Sequence, residues 1–192
     1  MTTRKCSRMG AKWSMPRYKQ NWQSICALLP AYLEDGTNGT VVTYLDSSTE
    51  VVAFRLQWVV DDLLLHLHTD RAALIKRSRM YLGRNARRLP LIASPEFCLV
   101  PVKGREALLR NDGSTGYVVL AHVADVIPRG GENRVYFTGG TYITVYDSTR
   151  TEDGLHHALR FQQAGGKWRI FRKGSVPFGR RYALGKEGLC SG

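Results

Sequence analysis

Between Arg71 and Arg88 there is no acidic residue, although seven Arg and Lys side chains fall in that stretch. Other absences are as informative. The four cysteines, Cys6, Cys26, Cys98 and Cys190, form no Cys-x-x-Cys pair and have no His at metal-ligand spacing, so reduced thiols are expected rather than a zinc site. His66 and His68 alternate as strand residues do, and His156 and His157 adjoin. Neither pair has the i,i+4 spacing and acidic partner of a zinc-hydrolase helix. Asp61 and Asp62 could be taken for paired carboxylates, but adjacent side chains diverge on a strand and on a helix alike, so a surface turn or a partner contact is expected there. Gly130-Gly131 and Gly139-Gly140 lack the P-loop lysine pattern, no Gly-x-Gly-x-x-Gly follows a strand, and no Gly-x-Ser-x-Gly elbow occurs. The sequence therefore gives an enzyme, a metal or a cofactor no residues to stand on. The longest apolar run, Leu56 to Leu67, is broken by Asp61 and Asp62, and the basic N-terminus has no apolar h-region. A cytoplasmic protein with no membrane span is the expectation.

What is present is positive charge, sorted into blocks. The 192 residues carry 28 Lys and Arg against 16 Asp and Glu, for a formal net charge of +12. Arg4, Lys5, Arg8, Lys12, Arg17 and Lys19 open the chain without an acid. Lys167, Arg169, Arg172, Lys173, Arg180, Arg181 and Lys186 close it against Glu187 alone. Glu34, Asp35, Asp46, Glu50, Asp61, Asp62 and Asp70 make the middle acidic, with Arg55 their sole counterpart. Sorting of this kind favours long-range attraction to phosphate and leaves the acidic segment a candidate for self-association.

At helical spacing, Leu74, Ile75, Ser78, Tyr81 and Leu82 share one face of the central basic stretch. Lys76, Arg79 and Arg87 share the other, with Arg77 and Arg84 on its flank. A solvated helix usually places Glu at i,i+4 to its cations, and none is here. A face that meets a polyanion is the better reading. Neutralising phosphates gives strong, sequence-blind binding, whereas preference needs base edges or DNA shape. Arginine suits a narrow A/T-rich minor groove, and Gly83-Arg84 and Gly179-Arg180-Arg181 set arginine beside a backbone able to approach closely.

Along the chain, residues 1–23 read as a flexible basic arm, residues 24–165 as one domain and residues 166–192 as a basic Gly-rich tail. Ser24 to Leu33 reads as a strand or extended segment because Pro30 limits a helix. Val41 to Tyr44 and Val51 to Leu56 form a hairpin or meander around Asp46-Ser47-Ser48, and Trp58 to Leu67 fits either a strand or the lead-in to the basic helix. A strand from Phe97 ends at Pro101, and Tyr117 to Val126 reads as one buried strand. The runs 135–138 and 141–146 meet at Gly139-Gly140 as in a two-residue hairpin. Thr149-Arg150-Thr151-Glu152 resembles a capping box opening a helix to about Ala164. The fold class is α+β: a largely antiparallel β-sheet with a basic amphipathic helix in the middle and a helix near the C-terminus.

Motif order adds a family. Tyr81-Leu82-Gly83-Arg84, then Pro90-Leu91-Ile92 and Pro95, then Phe97-Cys98-Leu99-Val100-Pro101, then Gly116-Tyr117 and His122-Val123, then the hairpin and helix, resemble the ComK competence transcription factors of Gram-positive bacteria. The resemblance spans roughly residues 29–163. It implies an activator of genes for DNA uptake and recombination that binds A/T-rich boxes through the minor groove. It also implies a homo-oligomer, dimer or dimer of dimers, nucleoid association, and control by a Clp-protease adaptor. Asn85 stands where the family often has lysine, and Val176-Pro177-Phe178 is a poor counterpart of the family's aromatic-Pro stretch.

The residues expected to meet DNA are Lys76, Arg77, Arg79, Arg84, Arg87, Arg88, Arg180 and Arg181. Two rivals stand beside this reading. One is a general nucleic-acid-binding or RNA-binding protein without promoter preference, and the other is a nuclease, which the missing carboxylate cluster disfavours.

Overall fold

The structure, a computed structural model, describes residues 15–82, 89–94, 96–109, 112–130, 132–146, 151–155 and 158. Nine strands, three α-helices and a further helical segment at residues 151–155 lie among them. The strands are β1 (Ile25–Tyr32), β2 (Asn38–Tyr44), β3 (Thr49–Val52), β4 (Leu91–Ile92), β5 (Cys98–Lys103), β6 (Thr115–Val119), β7 (Val123–Arg129), β8 (Glu132–Phe137) and β9 (Tyr142–Tyr146). The helices are α1 (Arg17–Gln20), α2 (Leu56–His66) and α3 (Arg71–Leu82). Six strands form one antiparallel sheet in the order β3-β2-β1-β6-β5-β4, and β7-β8-β9 form a second. The α+β expectation holds. No helix among the described residues is long and apolar enough to cross a membrane.

Strands β1, β4, β5 and β6 of the larger sheet are covered on both faces, so they read as near-continuous apolar runs instead of alternating ones, whereas the edge strand β3 stays partly exposed. Leu99 of β5 faces α2 and α3, in a core with Val59, Val60, Leu63, Leu64 and Leu74. Its neighbours Cys98 and Val100 face the smaller sheet, in a core with Val126, Val135, Phe137 and Val145. A β-bulge between Ile25 and Ala27 sends Cys26 and Ala27 to the same face, the second core, before Leu28 returns to the first. Two prolines sit inside β1 and β5 where each strand has one ordered neighbour. Pro30 lies past the short β1–β6 pairing at Ala27 and Leu28, and Pro101 lies past the two-residue pairing with β4. Strand β5 therefore runs on to Lys103 instead of ending at Pro101.

Several expectations change. Residues 15–23, read as part of a flexible arm, pack onto the domain: Tyr18 is buried and its hydroxyl donates to Asp62 Oδ2 at 2.5 Å. Residues 1–14 lie outside the described residues. Trp58 to His66 belongs to helix α2, capped by Leu67, and His66 and His68 lie at the end of that helix instead of alternating on a strand. His68 takes a left-handed φ of 55°, its amide donates to Leu65 O at 3.0 Å, and the Thr69 amide donates to Leu64 O at 2.9 Å. That is a Schellman C-cap with His where Gly is usual. Tyr117 to Val126 is two strands in two sheets, parted by a 3-10 turn at Leu120–His122. There the buried His122 bonds through Nε2 to Gln23 O at 2.8 Å, turning the chain from one sheet to the other. The hairpin at Gly139-Gly140 is present, but its loop has three residues, with the Phe137 amide on Thr141 O and Gly140 at φ 85°. Residues 151–155 are helical; the capping residue Thr149, the end of that helix, His156 and His157 and the tail lie outside the described residues.

Candidate nucleic-acid interface

Helix α3 begins at Asp70, whose Oδ1 accepts from the Ala73 amide at 2.8 Å while its carbonyl accepts from Leu74 at 3.0 Å. This N-cap satisfies first-turn amides and is the single acid beside the basic run. Leu74 and Ile75 pack into the core under α2, and Leu82 packs against the second core. Ser78 is buried at 1% exposure, and its hydroxyl donates to Pro90 O at 2.6 Å. The face expected to be buried is buried for Leu74 and Ser78 and partly so for Ile75 and Leu82; the side chain of Tyr81 lies outside the described ones.

With that face fixed, Lys76, Arg77 and Arg79 are exposed, as are Ala72, Ala73 and Met80. Lys76 and Arg79 form no salt bridge with any described residue. Like charges this close on a helix repel by a few tenths of a kcal/mol per pair, which a phosphate backbone would relieve. The expected contacts Arg84, Arg87, Arg88, Arg180 and Arg181 lie outside the described residues.

The acidic middle of the chain is spent partly inside the molecule. Lys19 Nζ meets Asp62 at 2.7 Å, Arg71 Nε meets Asp61 Oδ1 at 2.9 Å, and Arg17 meets Asp46 at 3.4 Å. Asp61 and Asp62 are thus not a surface turn. They lie on α2 and hold α3 and α1, respectively. Arg71, the first residue of the basic run, is drawn away from the exposed face of α3.

The sequence reading passed over Arg105. It retains 9% of its surface, lies over the Tyr32 ring at 4.0 Å, and donates through Nε to Gly113 O at 2.8 Å and through Nη2 to Asn38 Oδ1. Its partners are 67 and 73 positions upstream or a loop carbonyl, so no local pattern announces it. Asp112 completes the group: Tyr32 donates to its Oδ2 at 2.6 Å and Asn38 Nδ2 to its Oδ1 at 3.2 Å. Those two hydrogen bonds, the tyrosine first, hold its carboxyl below the usual Asp range.

Among the described residues no group of three or more His, Cys, Asp and Glu is placed to hold a metal ion. No protein-family model matches the chain, and comparison with curated proteins and with solved structures finds no match.

Proposed function

We propose that this chain is a DNA-binding transcriptional activator of the ComK kind, meeting double-stranded A/T-rich DNA through α3 and the arginines that follow it. The observation that carries the reading is the orientation of α3. Leu74 and the Ser78–Pro90 hydrogen bond pin one face, so Lys76, Arg77 and Arg79 stand together on the surface with no acid among them. Long cations on a rigid helix neutralise phosphates and release counterions, which supplies affinity. Promoter preference, association as dimers and adaptor control rest on motif order alone.

A second reading has its own support. Cations neutralise phosphates whatever the sequence, and the exposed Lys76 and Arg79 of α3 would serve a general nucleic-acid-binding protein equally well. Fluorescence anisotropy separates the two. The activator reading expects tighter binding to an A/T-boxed duplex than to a G/C-rich duplex of equal length across a salt series, with displacement by a minor-groove drug. Equal, steeply salt-sensitive binding to both would establish the sequence-blind protein instead. Binding an A-form RNA duplex as well as DNA would do the same, because the two minor grooves differ sharply in width.

A further inference from the structure

Where β1 parts from β6 beyond Leu28, the sheet opens into a cleft of about 400 Å³ under the first turn of α2. Three arginines from distant parts of the chain line it: Arg55, Arg71 and Arg105. No Asp or Glu is among its lining residues. We infer that this cleft is a binding site for a small molecule carrying a phosphoryl group, separate from the nucleic-acid face of α3 and going beyond the function proposed above.

Three observations converge. The first is Arg105, whose Nη1 is buried with no hydrogen-bond acceptor although its Nε and Nη2 are satisfied. The Asp112 carboxylate interacts with this charge but forms no salt bridge with it, so Nη1 stays without an acceptor, a cost that an anion in the cleft would offset. The nearby carboxylate of Asp112 is already taken by Tyr32, Asn38 and the Leu109 amide.

The second is the N-terminus of α2. Its cap residue, Arg55, makes no side-chain capping bond, and the first turn holds no acid. The amides of that first turn therefore have no side-chain acceptor at the positive end of an 11-residue helix, and Leu56 and Gln57 of the turn line the cleft.

The third is the charge balance. Arg71 is matched by Asp61, but Arg55 and Arg105 form no ion pair with a described residue. Two cations and a helix N-terminus suit a dianionic phosphoryl group better than a single carboxylate. Leu56, Val60 and Tyr117 give the rest of the wall an apolar surface, and the volume falls in the range of small-molecule sites. The ligand thus has a phosphoryl head and a compact apolar or aromatic body. A phosphate of a DNA backbone has the same head, but its flanking sugars would have to follow it to a side chain with 9% of its surface exposed.

The test is calorimetric titration of the full chain with phenyl phosphate, with benzoate and a DNA duplex as comparison. The site predicts one saturable event with a dissociation constant of about 1 mM or tighter, and weaker binding of benzoate. Arg105→Gln should weaken phenyl phosphate about tenfold or more, the loss of a charge-assisted hydrogen bond. Arg105 is buried and its variant can lose stability, so exposed Arg55→Gln provides a second test, expected to weaken binding about threefold at unchanged melting temperature. The double variant Lys76→Gln, Arg79→Gln should bind phenyl phosphate as the parent does. No saturable binding, benzoate binding as tightly, or loss of binding in the α3 double variant with Arg55→Gln unaffected would each overturn the inference. Displacement of phenyl phosphate by the duplex would reassign the cleft to the DNA backbone and overturn it too.

Discussion

The hydroxyl of Ser78 on α3 donates to the carbonyl of Pro90 across 2.6 Å, wholly inside the protein. One short bond thus ties the basic helix to the segment that enters β4. A hydroxyl on the buried face of a cationic helix would otherwise be a polar group without water. Here it sets the rotation of α3 and hence the direction in which Lys76 and Arg79 point.

Ser78→Ala should therefore destabilise the fold by about 1–2 kcal/mol, because the carbonyl of Pro90 is left without its donor. Urea unfolding of parent and variant reads this as a shift of midpoint at unchanged slope. Ser78→Val, with an apolar branch in the same space, should lose at least as much. A neutral Ser78→Ala would mean that the bond does not hold the helix.

The junction of α2 and α3 gives two opposite effects. His68→Gly should stabilise by about 0.5–1 kcal/mol, since a left-handed φ of 55° strains His and suits Gly. Asp70→Ala should destabilise by about 1 kcal/mol through loss of the bond to the Ala73 amide. Thermal unfolding of the two variants checks the sign of each.

The same junction shows why the sequence was only partly legible. The basic face of α3 follows from period and composition, and Lys76, Arg77 and Arg79 are exposed as expected, while Arg84 and Arg87 lie outside the described residues. The end of α2 does not, because its left-handed residue is His and its neighbour's cap is an Asp with no capping-box partner. The hairpin was legible from Gly139-Gly140, yet its loop is one residue longer. Gly140 takes the left-handed turn position, while Gly139 is glycine because a Cβ there would collide with the carbonyl of Leu45. Residues 15–23 looked like an arm because they are basic and aromatic. Their anchor, Asp62, is 44 positions from Tyr18, and local reading cannot see it. Arg55 and Arg105 meet at one cleft through the sheet's topology, which no spacing encodes.

Acid should loosen the clasp around Arg105. Asp112 has a folded pKa below its unfolded value, so its contribution is fully present above the ordinary Asp value of about 3.9 and is lost as pH falls through the lower folded one. In an unfolding series from neutral pH downward, the parent should lose an increment of stability in that window that Asp112→Asn does not lose. Parallel curves would contradict the role given to the Tyr32 and Asn38 hydrogen bonds.

Cys26 and Cys98 are buried, and burial pushes both thiols up to about 12, with Asp46 adding to the shift at Cys26. Neither should react with iodoacetamide in the native protein at about pH 8, and both should react in denaturant. Peptide mapping after alkylation reports each cysteine separately; native labelling of Cys98 would place it outside the core between the two sheets.

The proposed contact of the α3 cations with a phosphate backbone has a direct electrostatic signature. The most direct measurement is the salt dependence of duplex-DNA affinity for the parent and for the double variant Lys76→Gln, Arg79→Gln. Each phosphate contact contributes about one unit to the slope of log K against log salt. The variant should bind more weakly, with a slope shallower by about two. An affinity and a slope equal to those of the parent would contradict the proposed contact.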